Sequence, residues 1–170
     1  MAKRVVDFRG CQADTLKAFD ERRVLLVSQG NQGPPNAMAI GWGSMGIIWK
    51  RPVFTVLVRP SRYTYSLIEA SGEFTVNIAA PGMEEVVTYC GSVSGRDHDK
   101  LAAKGLTAVS SGQLKTPIIK EGLIHFECRV IYRSDLIPAQ MAEPTLSGTY
   151  GKSVDFHRFY YGEIVACQSE

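Results

Sequence analysis

The sequence predicts a mainly β domain with inserted helices, in which an antiparallel sheet closes, or nearly closes, into a barrel. Short apolar or alternating runs with hairpin-like spacing account for about six or seven strands. Sixteen glycines and eight prolines stand between these runs, as expected for a strand-rich fold with many turns. A chain of 170 residues can bury one core without disulfides or metals, and no linker divides it. Residues 1–170 are therefore predicted to form a single domain, with 1–21 as an N-terminal extension.

The first elements are a helix and a hairpin. A short helix is predicted over 14–21, with Leu16 and Phe19 as its apolar contacts. The apolar, β-branched run at 23–28 predicts a buried strand, which stops at a Gln-Gly pair. The sequence GNQGPP then turns the chain into a strand over 36–42, and a glycine-broken loop follows.

The next segment alternates as a strand over 52–59, which ends at Arg59. Ser61 is predicted to cap a helix that runs to about Ala70, since serine is a favoured N-cap. A Ser-Gly pair ends that helix, and the next strand is predicted over 72–79.

The second half begins with helices and ends with strands. Pro81 opens a predicted helix through about Tyr89, and a polar loop leads into a short helix over 97–104, capped by Gly105. A short strand is then predicted over 106–109.

A cleanly alternating strand is predicted over 123–132, and 157–167 forms the closing strand. Residues 138–152 carry two prolines and two glycines and are predicted to be a loop.

Composition excludes several classes of function. The net charge of +2, with no Lys/Arg run, argues against nucleic-acid binding. The four cysteines form no Cys-x-x-Cys pair and have no histidine at zinc-ligand spacing, so no metal site is expected. The N-terminus lacks the apolar region of a signal peptide, and no run of about 18 apolar residues predicts a membrane span. A reduced, cytoplasmic protein is expected.

The strand-to-helix junction near residue 60 is the first candidate site. The opening N–H groups of a helix lack partners within it, and the helix dipole favours negative charge there. Arg59, Ser61, Arg62 and Thr64 add two cations and two hydroxyls. We therefore predict a phosphate at this junction. The alternative is that Ser61 is only a helix cap and both arginines are solvated.

The polar loop at 90–100 is the second candidate. Ser94 and Lys100 are predicted to contact the same phosphate, with Gly91 and Gly95 permitting close backbone approach. The alternative is a solvated loop in which Asp97 caps the following helix.

Several motifs together resemble the flavin reductase-like family of FMN-binding split barrels, especially its flavoredoxin branch. The similarity covers roughly residues 22–167. Each motif alone is weak evidence for the family, whereas five motifs in this order are fairly specific to it. The motifs are N-x-M-x-x-x-W (36–42) with Pro52 after it, R-P-S-R-Y-T (59–64), G-E-F-x-V-N (72–77), C-G-x-x-S-G-R-D-x-D-K (90–100) and H-R-x-Y-Y-G-E-I (157–164).

The resemblance implies a six-stranded antiparallel Greek-key split barrel, a homodimer, and non-covalent FMN near the dimer interface. It implies that Asn36, Met38 and Trp42 line the flavin ring, although Trp42 can equally be core packing. The family often has Thr where this chain has Ala39, so one hydroxyl contact to the ring is absent and backbone groups are expected to replace it. The resemblance thus places four residues beside the flavin ring: Asn36, Met38, Ala39 and Trp42.

Three further residues carry open alternatives. Asn77 ends a strand, where it either braces the site or is an ordinary turn residue. His157 belongs to the closing motif and is expected to reach the flavin or the partner subunit. Cys90 lies in helical phase with apolar neighbours, which indicates a buried structural thiol rather than a catalytic one.

Two mechanisms fit the resemblance. A flavin reductase takes hydride from NAD(P)H, whereas a flavoredoxin-like carrier keeps its FMN and passes electrons to a redox protein partner. Because the chemistry belongs to the flavin, no catalytic acid or base is expected. No G-x-G-x-x-G fingerprint is present, so any nicotinamide has to stack on the flavin itself. The alternative class is a split-barrel module that binds another ligand, such as haem.

Overall fold

The computed structural model describes residues 3–170, in which strands dominate and helices are inserted between them. The strands are β1 (Arg4–Val5), β2 (Val24–Ser28), β3 (Asn36–Ala39), β4 (Gly43–Ile48), β5 (Arg51–Val58), β6 (Glu73–Ala79), β7 (Ala108–Val109), β8 (Ile118–Ile119), β9 (Gly122–Asp135) and β10 (Arg158–Ser169). The helices are α1 (Gln12–Asp20), α2 (Tyr63–Ser71), α3 (Glu84–Ser92), α4 (Lys100–Lys104) and α5 (Glu143–Tyr150), with 3₁₀ turns at Phe8–Cys11 and Pro138–Gln140. The predicted mainly β class is confirmed.

The main sheet is antiparallel and has eight strands. Its order is β3-β2-β6-β9-β10-β5-β4, and β1 adds beside β10. The prediction of six strands was therefore short by two, β1 in the N-terminal extension and β4 in the predicted loop. Strands β3 and β4 are the two ends of the sheet, although they are consecutive in the chain. The candidate site lies beside residues 40–42, which connect them.

The strand β4 was missed because its glycines read as loop signals. It pairs with β5 through a tight turn at Trp49 and Lys50, both in the left-handed region with φ of 51° and 62°. Two left-handed residues match the twist of a hairpin. Gly43 is required by packing, since a Cβ there would lie 3.0 Å from the carbonyl oxygen of Thr55 and 3.1 Å from the Phe19 ring.

Inward-facing side chains of the long strands meet in one core. Alternate residues of β5, β6, β9 and β10 supply fully buried aromatic rings, among them Phe54, Phe74, Phe126 and Tyr160. A second apolar cluster lies where α3 and α4 cover the outer face of β2 and β3, and it includes Cys90. Burial raises the pKa of this thiol, in keeping with its structural reading.

Helix boundaries differ from the predicted ones because the caps differ. The N-cap of α2 is Arg62 rather than Ser61, and Gly72 ends the helix in the left-handed region as expected. The N-cap of α4 is Asp99 rather than Asp97, so that helix begins at Lys100. Gly105 caps α4 as predicted.

The other helices also shift. Helix α3 begins three residues after Pro81, because Gly82 takes a positive φ of 89° first. In α1 the buried side chains are Thr15 and Ala18, whereas Leu16, predicted as a core contact, is 58% exposed. Within residues 3–170 no helix combines the length and apolar character that crossing a bilayer requires.

The predicted loop at 138–152 contains α5. Its proline lies in the first helical turn, where a missing N–H costs no intrahelical hydrogen bond. The helix ends at Gly151, and the chain then returns through 151–157 to β10. This return path brings α5 to the candidate site.

Candidate functional site

A continuous groove lies beside β3, between the ends of β5 and β10 and the helices α2 and α3. Its wide lobe, of about 270 Å³, is lined by residues 38–42, Leu57, Arg59, Arg62, Gly91 and His157. Its narrow lobe, of about 140 Å³, is lined mainly by Asn36, 61–64, 93–96 and Lys100. Met38, Arg62 and Gly91 line both lobes, so the two form one site.

The wide lobe has an aromatic wall. Trp42 lies beyond the end of β3 and is 50% exposed, which contradicts the alternative that it packs in the core. Its indole meets the His157 ring edge-on, with centroids 5.7 Å apart and the planes at 70°. Together with the backbone of 38–41, these rings form a slot suited to a flat ligand.

His157 is buried and neutral. Burial and the charges of Arg59 and Arg62 lower its pKa to about 4. Its Nδ1 lies 2.7 Å from the hydroxyl of Tyr150, in α5. The guanidinium of Arg59 lies 5.3 Å from the Tyr150 ring centroid, so this arginine stacks at the edge of the wide lobe.

The narrow lobe contains an orphaned amide. Asn36 is 5% exposed, and its Nδ2 donates to Thr64 Oγ1 at 2.9 Å. Its Oδ1 is buried with no hydrogen-bond partner in the described chain. Buried polar atoms are rarely left unpaired, so this atom points to a ligand that donates a hydrogen bond.

Gly95 packs directly against this amide. A Cβ at Gly95 would lie 2.0 Å from Asn36 Oδ1 and 3.0 Å from the Tyr63 ring. Any side chain would thus fill this part of the narrow lobe. The predicted close approach of the Gly95 backbone to a phosphate stays a prediction.

Lys100 brings a buried cation to the same lobe. It is 4% exposed, and its ammonium donates to the carbonyl oxygens of Ala37 at 2.9 Å and Cys90 at 2.7 Å. No carboxylate forms an ion pair with it in residues 3–170. Burial lowers its pKa, and Arg62 lowers it further. A buried ammonium with a third N–H and no acid partner favours an anionic ligand.

The opening turn of α2 faces this lobe. The N–H groups of Tyr63 and Thr64 begin the helix and have no carbonyl within it to bond. The N-cap is Arg62, and among residues 3–170 no side chain caps this end. The helix therefore offers free donors and its positive dipole end to an anion.

Ser61 is bound to a carboxylate. Its hydroxyl donates to Asp155 Oδ2 at 2.6 Å, and its N–H lies 3.3 Å from Asp155 Oδ1. Its carbonyl accepts from Arg96 at 3.0 Å. Although Ser61 lines the narrow lobe, its donors are occupied, so the anion donors of the lobe come from its neighbours.

The structure brings most predicted residues together but divides them between lobes. Arg59 lines only the wide lobe and Lys100 only the narrow one, although a shared phosphate was predicted for both. Ser94 lies in the narrow lobe, and Arg62 lines both. Ala39 lies in the wide lobe, where α3 approaches so closely that a Cβ on Gly91 would be 3.0 Å from its methyl group.

Asn77 lines neither lobe. Its amide oxygen accepts from the Ile119 N–H at 2.9 Å and lies 2.8 Å from His125 Nδ1, and its Nδ2 donates to Thr75 at 2.9 Å. It therefore ties β6 to β8 and β9 on the outer face of the sheet. The two predicted alternatives were that Asn77 braces the site or is an ordinary turn residue at a strand end. It lies inside β6, and its hydrogen bonds go to no residue that lines the groove.

Sequence reasoning missed Tyr150 and Asp155. Tyr150 ends α5, within the segment predicted to be a loop, and Asp155 lies between that segment and the predicted closing strand. Tyr150 contacts His157, and Asp155 contacts Ser61. Both contacts form only because the segment between α5 and β10 packs beside the groove. No local pattern carries that signal.

The fold and the groove define a class: an antiparallel split barrel with a cationic lobe beside a helix N-terminus and an aromatic slot for a flat ring. Comparison with known families then assigns the chain. The flavin reductase-like domain matches residues 20–170, and the chain belongs to this family.

Three relatives illustrate the similarity. An uncharacterized protein of Archaeoglobus fulgidus is 34% identical over 109 residues, which span 64% of this chain and 60% of that protein. A flavoredoxin of Methanosarcina acetivorans is 34% identical with a TM-score of 0.66, over 86% of this chain and 67% of that chain. An FMN-binding domain of a flavin reductase-like enzyme from Shewanella baltica shares the fold at 20% identity and a TM-score of 0.68, over 99% of this chain and 77% of that one.

Proposed function

We propose that the chain binds FMN non-covalently in the groove and passes electrons from NAD(P)H through it. One observation carries the proposal: the narrow lobe joins a buried, unpaired cation and an orphaned amide at a helix N-terminus, and it opens into an aromatic slot. FMN combines an anionic phosphate, a chain of hydroxyls and a flat ring, which are the three chemistries that these features recognise.

The residues divide accordingly. Lys100, Arg62, Ser94 and the α2 N-terminus suit the phosphate, through charge-assisted and backbone hydrogen bonds. The free Oδ1 of Asn36 suits a hydroxyl of the ribityl chain. These groups position the cofactor.

The ring side relies on packing and backbone. Met38, Trp42 and His157 line the slot, and Ala39 offers no hydroxyl, so backbone groups of 38–41 are left to bond the polar edge. When bound, the flavin supplies hydride and electron transfer, while the protein supplies position and electrostatics.

An anaerobic titration tests the function. FMN-loaded protein is expected to lose its visible flavin bands when NADH or NADPH is added, and the more effective nicotinamide identifies the donor. Bleaching by dithionite but by neither nicotinamide would instead make the chain an electron carrier for a protein partner. Absence of flavin affinity, or a Soret band on adding haem, would overturn the proposal in favour of a module for another ligand.

We further propose a homodimer, as the family resemblance implies. An exposed aromatic patch supports it: Trp49 is 61% and Tyr132 47% exposed, their rings are 5.6 Å apart, and the Tyr161 ring lies beside both. Exposed apolar clusters of this kind mark protein contacts. We expect light scattering to give twice the chain mass, and Trp49→Lys to give a monomer. A monomeric wild type would contradict this.

A further inference from the structure

The hydrogen bond between Tyr150 and His157 has a direction that the surroundings determine. Tyr150 is 7% exposed, and within residues 3–170 its hydroxyl makes this hydrogen bond alone. A buried hydroxyl without another acceptor gives its proton to the one available. His157 Nδ1 is therefore the acceptor.

A neutral imidazole has one donor and one acceptor nitrogen. Neutrality follows from burial and from the nearby guanidinium groups of Arg59 and Arg62, which disfavour a third positive charge. With Nδ1 accepting, the proton of His157 resides on Nε2. No described residue bonds Nε2, and the side chain lines the wide lobe.

Packing holds the ring in this orientation. Trp42 contacts it edge-on at 5.7 Å, and the Tyr150 ring does so at 5.5 Å. Tyr150 is itself fixed by the T-shaped contact with Phe156 at 5.0 Å and by Arg59 over its face. The pair is thus preorganised.

We propose that Tyr150 is a positioning residue, which fixes His157 as the Nε2–H tautomer so that it presents one hydrogen-bond donor to an acceptor atom of a flat heteroaromatic ligand in the wide lobe. The ligand's identity as flavin rests on the proposed function. The tautomer does not, because the free protein already contains the pair.

Tyr150→Phe separates this role from packing. The phenylalanine keeps the ring contacts with Arg59, Phe156 and His157 and removes only the hydroxyl. Tyr89→Phe, which removes a hydroxyl from a tyrosine of α3 that lines neither lobe and lies outside the aromatic patch, is the matched control.

Nitrogen-15 NMR of the histidine rings, recorded on the full chain without FMN, reads the tautomer directly. His157→Gln assigns the His157 signals among the three histidines. The wild type and Tyr89→Phe are expected to show a protonated Nε2 and a bare Nδ1, whereas Tyr150→Phe gives a mixture of both tautomers. A wild type protonated on Nδ1, or a Tyr150→Phe spectrum identical to the wild type, overturns the proposal.

The rate of reduction of bound FMN by nicotinamide gives a second readout. Losing one oriented hydrogen bond corresponds to about a tenfold slower step. Tyr150→Phe is expected to show this slowing with an FMN affinity lowered by at most about tenfold, and to add nothing in the His157→Gln background. Equal slowing in both backgrounds would mean that Tyr150 acts by packing and would overturn the proposal. Failure to bind FMN would refute the proposed function and leave the NMR result standing.

Discussion

Lys100→Met is expected to weaken FMN binding by about 10- to 100-fold while leaving riboflavin binding nearly unchanged. The ammonium is buried in the narrow lobe with no acid partner, so a phosphate would receive a charge-assisted hydrogen bond from it. Such a bond contributes about 1.5–3 kcal/mol, and each 1.4 kcal/mol is about tenfold in affinity. Because riboflavin lacks the phosphate, its binding affinity should change little. Fluorescence quenching titrations with both flavins measure the difference.

The riboflavin titration distinguishes the loss of a phosphate contact from a general change in the structure of the site. Lys100 also bonds the carbonyl oxygens of Ala37 and Cys90, so its loss can loosen β3 against α3. Lys104→Met is the control on the same helix, since that ammonium lies 3.7 Å from Glu85 and 4.6 Å from the Tyr89 ring centroid, outside the lobe. Equal losses for FMN and riboflavin in Lys100→Met would show that the lysine acts through the scaffold and not on phosphate.

Gly162→Ala is expected to destabilise the fold by about 3 kcal/mol, the upper end of the usual range for overpacking. A Cβ there would lie 2.5 Å from the Phe74 ring and 2.7 Å from Cys128 Cβ, and both residues are fully buried. Gly162 lies at a register shift between β10 and β9. Because Phe74 and Cys128 are fully buried, neither side chain can move away easily from an added methyl group. For a domain of this size the melting temperature should fall by about 6–12 °C.

Chemical denaturation, followed by circular dichroism, measures this loss. Gly46→Ala in β4 is the matched control, because nothing lies within 4 Å of a Cβ at that position. The control should stay within about 0.5 kcal/mol of the wild type. A Gly162→Ala protein as stable as its control would mean that the β9–β10 pair adjusts more freely than its packing indicates.

The sequence by itself determined the elements whose signals are local. Period-two alternation identified the strands that became β5 and β9, whose contribution to the core comes from alternate residues. Strand β4 was missed because the reason for its glycine is not local. Thr55 and Phe19 crowd the position that a Cβ of Gly43 would take, and a sequence does not show which residues lie across a sheet. Likewise α5 is short and is stabilised by its contacts with the rest of the domain.

For the site, the sequence indicated the cationic junction, and the family resemblance added Asn36 and Trp42 beside the flavin ring. The structure places Asn36 in the narrow lobe instead and shows its unpaired oxygen. Only the tertiary structure decided how these groups are shared between the two lobes, that Ser61 bonds Asp155, and that Asn77 faces away from the groove. Tyr150 meets His157 only after the chain has left the sheet, formed α5 and returned. Local composition fixes which groups a segment offers, whereas their partners depend on packing between segments distant in the chain, which no local pattern encodes.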